Sequence, residues 1–133
     1  MAESTALLRR YAGVMLAERV TIGAAAALAP GSLLNAFGID SAEDSPTLRY
    51  FARLFGIRNV VLGILVWQSR EDPQRLAAVA SINAATEILD AVAGAVPLIT
   101  RQGRDASAVA AVATSLAVSA GFAGLAVAAH RRH

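Results

Sequence analysis

The chain has 133 residues, of which 56% are hydrophobic and only 17% charged, and its mean hydropathy is +0.51. A soluble domain of this size usually carries about 25% charged residues, and the length holds one compact unit rather than two. No cysteine is present, which excludes disulfide scaffolds, thiolate metal sites and thiol-based redox chemistry. All twelve basic residues are arginine against ten acidic ones, a net charge of +2. With no basic patch interleaved with aromatics, nucleic acid is not an expected partner.

Four apolar runs follow in chain order, and they predict an all-α, four-helix transmembrane bundle forming a single integral membrane domain. The first, over residues 11–29, contains Glu18 and Arg19. Those two charges interrupt what would be the apolar stretch of a signal peptide, so the helix is read as retained. Pro30-Gly31 ends it and opens a connection to Thr47 in which Leu33, Leu34, Phe37 and Ile39 form a hydrophobic edge. A surface excursion or structural lid and a short helix lying in the headgroup layer fit that edge equally. The second helix is predicted over 48–68 and the third over 76–100, separated by Glu71-Asp72-Pro73, with Pro73 near the start of the third. The fourth, over 106–129, has no charged residue; at 1.5 Å per residue it is roughly 36 Å long, enough to cross a hydrocarbon core of about 30 Å. Asp105 or Ser107 is its expected cap.

Orientation follows from the arginines. An even number of spans places the N-terminus, the second connection and the C-terminus on one side, with Arg9, Arg10, Arg70, Arg75, Arg131 and Arg132. The other side carries Arg101 and Arg104, with Arg49 at a helix end, and an acidic connection containing Asp40, Glu43 and Asp44. The positive-inside bias predicts both termini in the cytoplasm of a cell (inner or plasma) membrane.

Six charges fall inside the expected spans: Glu18, Arg19, Arg53, Arg58, Glu87 and Asp90. Each costs about 2.5 to 3.5 kcal/mol at a helix centre, so a naive sum approaches about 15 to 20 kcal/mol. They are therefore expected to pair inside the bundle or face water. Asn83, Glu87, Asp90 and Gly94 share one stripe of the third helix. Counting residues from the helix ends puts Arg58 at the depth of Glu87 and Asp90 to within about one turn. The expected core is an Arg58–Glu87–Asp90 cluster with Glu18 as fourth member. Arg53 reaches Asp90 or the outer interface, and Arg19 snorkels inward. Such a network either clamps the helices through bidentate guanidinium contacts or leaves one carboxylate underpaired and able to carry a proton. Gly56, Asn59 and Gly63 form a narrow seam on the second helix, and Ala113, Ala117, Gly121 and Gly124 line one face of the fourth. That small-residue face also fits a dimer contact.

The stretch Arg53-Leu54-Phe55-Gly56-Ile57-Arg58-Asn59, followed by Gly63, Glu87 and Asp90, resembles small four-helix bacterial membrane proteins of unknown function, a broad group that includes DoxX-like proteins. The resemblance covers roughly residues 48–100. It implies an integral membrane bundle with a polar interior and brings no activity; Arg53, Arg58, Asn59 and Asp90 carry over as core residues.

Three function classes follow. First comes an accessory or scaffold protein held together by its ion pairs. Second comes a small proton-coupled transporter or lipophilic-ligand binder using Glu18, Glu87 and Asp90, with Asn59, Asn83, Arg53 and Arg58 completing the ligand or ion-pair core. A lipid-modifying enzyme with Glu87 and Asp90 as acid and base ranks last. No catalytic residue, cofactor or metal site is predicted. The only histidines, His130 and His133, end the sequence and read as solvated. Expected partners are the lipid bilayer, a lipophilic ligand or a membrane protein, and a second copy of the chain.

Overall fold

The computed structural model describes residues 2–41, 43–99 and 106–131. Four long helices, α1 (Ala2–Leu28), α3 (Pro46–Ser69), α4 (Pro73–Ile99) and α5 (Ala106–His130), are joined by one short helix, α2 (Pro30–Ala36), between α1 and α3. The sequence places α3, α4 and α5 to within three residues at each described end, while α1 begins at Ala2 rather than near Tyr11. Its first turns stay helical because Leu8 is in the core and Arg9 pairs with Glu71 in the α3–α4 turn. The expected end of α4 at Thr100 lies outside the described residues, as do Arg101, Arg104, Asp105, Arg132 and His133.

The ends are set by caps. The Ser45 hydroxyl accepts the Leu48 N–H at 3.1 Å, with Pro46 opening α3. The Asp72 carboxylate accepts the N–H groups of Gln74 and Arg75 at 2.9 and 3.1 Å, with Pro73 opening α4. Helix α2 closes differently: the Gly38 N–H donates to the Asn35 carbonyl and the Ile39 N–H to the Leu34 carbonyl, at 2.9 and 3.0 Å. That is a Schellman closure, and it requires the left-handed φ of +81° that Gly38 supplies. Leu34 is buried and Phe37 half-buried, so the hydrophobic edge of this connection turns toward the bundle. Beyond it Arg49 grips Asp44 through hydrogen bonds of 2.6–3.0 Å and holds that carboxyl below the usual aspartate range.

All four long helices are long and apolar enough to cross a membrane. Each buries only a stripe. On α1 the stripe is Leu8, Ala12, Met15, Arg19, Gly23 and Ala26; on α4 it is Leu76, Ala80, Asn83, Glu87 and Ala91. Large apolar side chains such as Phe51, Ile57, Trp67, Ile82, Leu89 and Val92 point outward and are more than half exposed. In water such a surface would drive aggregation; against lipid tails it is the solvated face.

The bundle is two antiparallel pairs, α1 with α3 and α4 with α5, each packed far more closely than the pairs are to one another. Gly23 and Gly56 make the first pair possible. A Cβ on Gly56 would lie 2.5 Å from the Gly23 carbonyl oxygen and 2.6 Å from the Ala27 nitrogen, both backbone atoms. In the second pair Ser119 donates to the Ala84 carbonyl at 3.0 Å. The face expected on the fourth helix is divided: Ala113 and Ala117 are exposed, while Gly121 and Gly124 make room for Met15 and Tyr11 of α1. An apolar core of Leu8, Ala12, Met15, Val66, Leu76, Ala80, Ala84, Phe122, Leu125 and Ala129 fills the half of the bundle away from α2.

Candidate functional site

At mid-depth the seam between the two helix pairs becomes polar, and Arg19 is its hub. Its side chain is 1% exposed. One guanidinium nitrogen donates both to Glu87 and to the Asn59 side-chain oxygen, and Nε donates to the Asn83 side-chain oxygen at 2.9 Å. The guanidinium carbon also sits 4.8 Å from the ring centre of Phe122 on α5, so one side chain of α1 touches every other long helix. The two asparagines are aimed by their own helices. Asn59 donates its amide to the Phe55 carbonyl and Asn83 to the Val79 carbonyl, each at 2.9 Å. Both amide oxygens are thereby left to face the guanidinium.

A second pair lies closer to the α2 end. Arg58 of α3 grips Asp90 of α4 through both terminal nitrogens, one at 3.0 Å, in a bidentate geometry. This pair is only half-buried. Together the two pairs tie α1 and α3 to α4 across the seam that apolar packing leaves loose.

Above this polar layer, toward α2, is a cavity of about 280 Å³. Its floor is Glu18, Arg19, Asn59, Glu87 and Asp90; Thr114 and Ser115 of α5 add hydroxyls, and Ile22, Phe55, Ala93, Ala111 and Val118 form apolar walls. Phe37, set by the α2 Schellman closure, lines it on the α2 side. Glu18 Oε2 is buried with no hydrogen-bond partner among the described residues, as is Arg58 Nε.

The structure divides the single cluster expected from the sequence. Arg58 meets Asp90, but Glu87 belongs to Arg19, and Glu18 faces the cavity instead of joining an ion pair. Arg53 stands apart: it is exposed and borders an outer recess with Asp44, Ser45, Pro46 and Arg49. Arg19, assigned from the sequence to snorkel toward the inner interface, is instead the most deeply buried charge. Adjacent residues on a helix point about 100° apart, so Arg19 turns into the seam between the helix pairs while Glu18 borders the cavity from a different angle. Four-residue steps from Met15 to Arg19 to Gly23 put Arg19 on the small-residue stripe, a signal present in the sequence. Phe37, Thr114 and Ser115 were also missed, being ordinary loop and helix residues until the helices pack. His130 is exposed at the end of α5. Among the described residues no group of three His, Asp or Glu side chains is placed to hold a metal ion.

The model of DUF4267, a domain of unknown function, matches residues 17–129. No curated protein and no solved structure matches the chain.

Proposed function

The chain belongs to the DUF4267 family, and from its own residues we propose that it is a multi-pass membrane protein binding a small lipophilic molecule in the cavity beneath Phe37. The observation that carries this is the combination of a half-open, mostly apolar cavity with a few convergent polar groups, one of them Glu18, which forms no ion pair among the described residues. A volume of about 280 Å³ is close to the lower end, about 300 Å³, of small-molecule sites. A pure scaffold role accounts for the Arg19–Glu87 and Arg58–Asp90 pairs but gives the cavity and Glu18 nothing to do. The pairs hold the frame, and Glu18, Thr114 and Ser115 orient the guest.

The excess of arginine at Arg9, Arg10, Arg70, Arg75, Arg131 and Arg132 supports both termini facing the cytoplasm. We extend the proposal to a bacterial cell membrane and a polar-cored bundle of the DoxX-like kind on the strength of the Arg53–Asn59 stretch.

Native mass spectrometry of gently extracted protein tests the binding role. The expected result is a reproducible small-molecule adduct in the parent protein that is absent from Ala111→Phe, whose ring fills the cavity. A clean protein mass in both, or an adduct indifferent to Ala111→Phe, overturns it.

A further inference from the structure

The charges around the cavity do not balance. Three carboxylates, Glu18, Glu87 and Asp90, meet the polar floor, and two guanidiniums answer them. Arg19 is committed to Glu87 and the two asparagines, and Arg58 to Asp90. The third intramembrane cation, Arg53, faces the outer recess and not the cavity. Glu18 is therefore the carboxylate left over, and its Oε2 is a buried acceptor without a donor. A carboxylate in a low-dielectric space stays ionised only beside a counter-charge, and a buried acceptor needs an N–H or O–H. One chemical group supplies both: a protonated amine. The walls fit such a ligand, since Phe37 adds an aromatic ring to the lining and Ile22, Phe55, Ala93, Ala111 and Val118 offer an apolar sleeve.

We infer that the cavity takes a monovalent lipophilic ammonium compound, with its N–H donating to Glu18 and its apolar body lying under Phe37. This specificity rests on the cavity being a ligand site. Glu18 acts as the counter-ion, and the two ion pairs supply no net charge of their own. Thr114 and Ser115, which line the same cavity, accept the remaining N–H groups. A neutral molecule of the same shape fills the sleeve but leaves the charge of Glu18 uncompensated, and an anion meets an acid with no free guanidinium to receive it.

The test uses 4-phenylbutylamine, protonated at neutral pH, and its neutral counterpart 4-phenylbutanol. Equilibrium dialysis is run against the full chain in phosphatidylcholine nanodiscs, with empty nanodiscs subtracted. The expected result is binding of the amine at least about tenfold tighter than the alcohol. That preference should vanish in Glu18→Gln, which still binds the alcohol, and both compounds should be lost in Ala111→Phe. Equal binding of amine and alcohol, both lost in Ala111→Phe, overturns the ammonium assignment while leaving a lipophilic site in place. Saturable binding of neither compound overturns both.

Discussion

Glu87→Gln tests how the bundle is held together. The substitution keeps the shape of the side chain and removes only the charge. Arg19 keeps its hydrogen bonds to Asn59 and Asn83, so the loss isolates the counter-ion of a guanidinium that is almost wholly buried. Breaking one side of a buried pair costs about 3–5 kcal/mol, because the remaining charge stays desolvated without compensation. The double variant Arg19→Gln/Glu87→Gln leaves no charge at this point and retains amide donors for the two asparagine oxygens. It should recover about half the loss or more, a coupling of about 2 kcal/mol between residues that touch. Glu18 borders the same cavity and, unlike Asp90, is not held by another guanidinium, so it can substitute for Glu87, and repeating the cycle in Glu18→Gln should enlarge the single-variant loss. The assay is reversible unfolding by SDS in mixed micelles, followed by far-UV circular dichroism. A Glu87→Gln protein within about 1 kcal/mol of the parent would refute the reasoning. So would a double variant that loses the full sum of the two singles.

Three other outcomes follow from the same geometry. Gly56→Ala places a Cβ against backbone atoms of α1 and should cost about 1–3 kcal/mol through overpacking, read in the same SDS titration; Gly13→Ala, with open space around it, should cost nothing measurable. Glu18→Gln removes a buried acid whose Oε2 has no partner, so it should leave the SDS midpoint unchanged or raised, whereas Glu87→Gln lowers it. Because the chain has no cysteine, single cysteines report topology directly. Ser41→Cys should react with an impermeant maleimide added outside intact cells, and Gln74→Cys only after lysis; the reverse pattern would invert the orientation.

The spans were legible because length and hydropathy alone decide whether a helix can cross a bilayer, and Ala106–His130 shows this most simply. The start of α4 was marked by Pro73, whereas α3 begins at Pro46, two residues before the expected start, because the Ser45 hydroxyl caps it. Depth arithmetic was enough to bring Arg58 to Asp90, since residues at equal distance from the ends of adjoining antiparallel helices lie at one level. It was not enough to decide between Arg58 and Arg19 as the partner of Glu87. That choice depends on the direction in which α1 turns its buried stripe, which depth along the helix does not specify: Glu18 and Arg19 lie at nearly the same level. Helix α2 was undecidable because a hydrophobic edge serves a surface excursion and a short helix alike; only the left-handed Gly38 and its two backbone hydrogen bonds separate them. The cavity had no sequence signal at all. It exists because Gly23 and Gly56 draw α1 and α3 together while the seam toward α4 and α5 is bridged by long polar side chains rather than filled.

The most direct measurement is a high-resolution cryo-EM or crystal structure of the chain extracted in native lipid. The account predicts non-protein density under Phe37, with a nitrogen-sized feature within hydrogen-bond distance of the Glu18 carboxylate, and intact Arg19–Glu87 and Arg58–Asp90 pairs on the floor. A collapsed cavity, or Glu18 paired with Arg19 in place of Glu87, would contradict it.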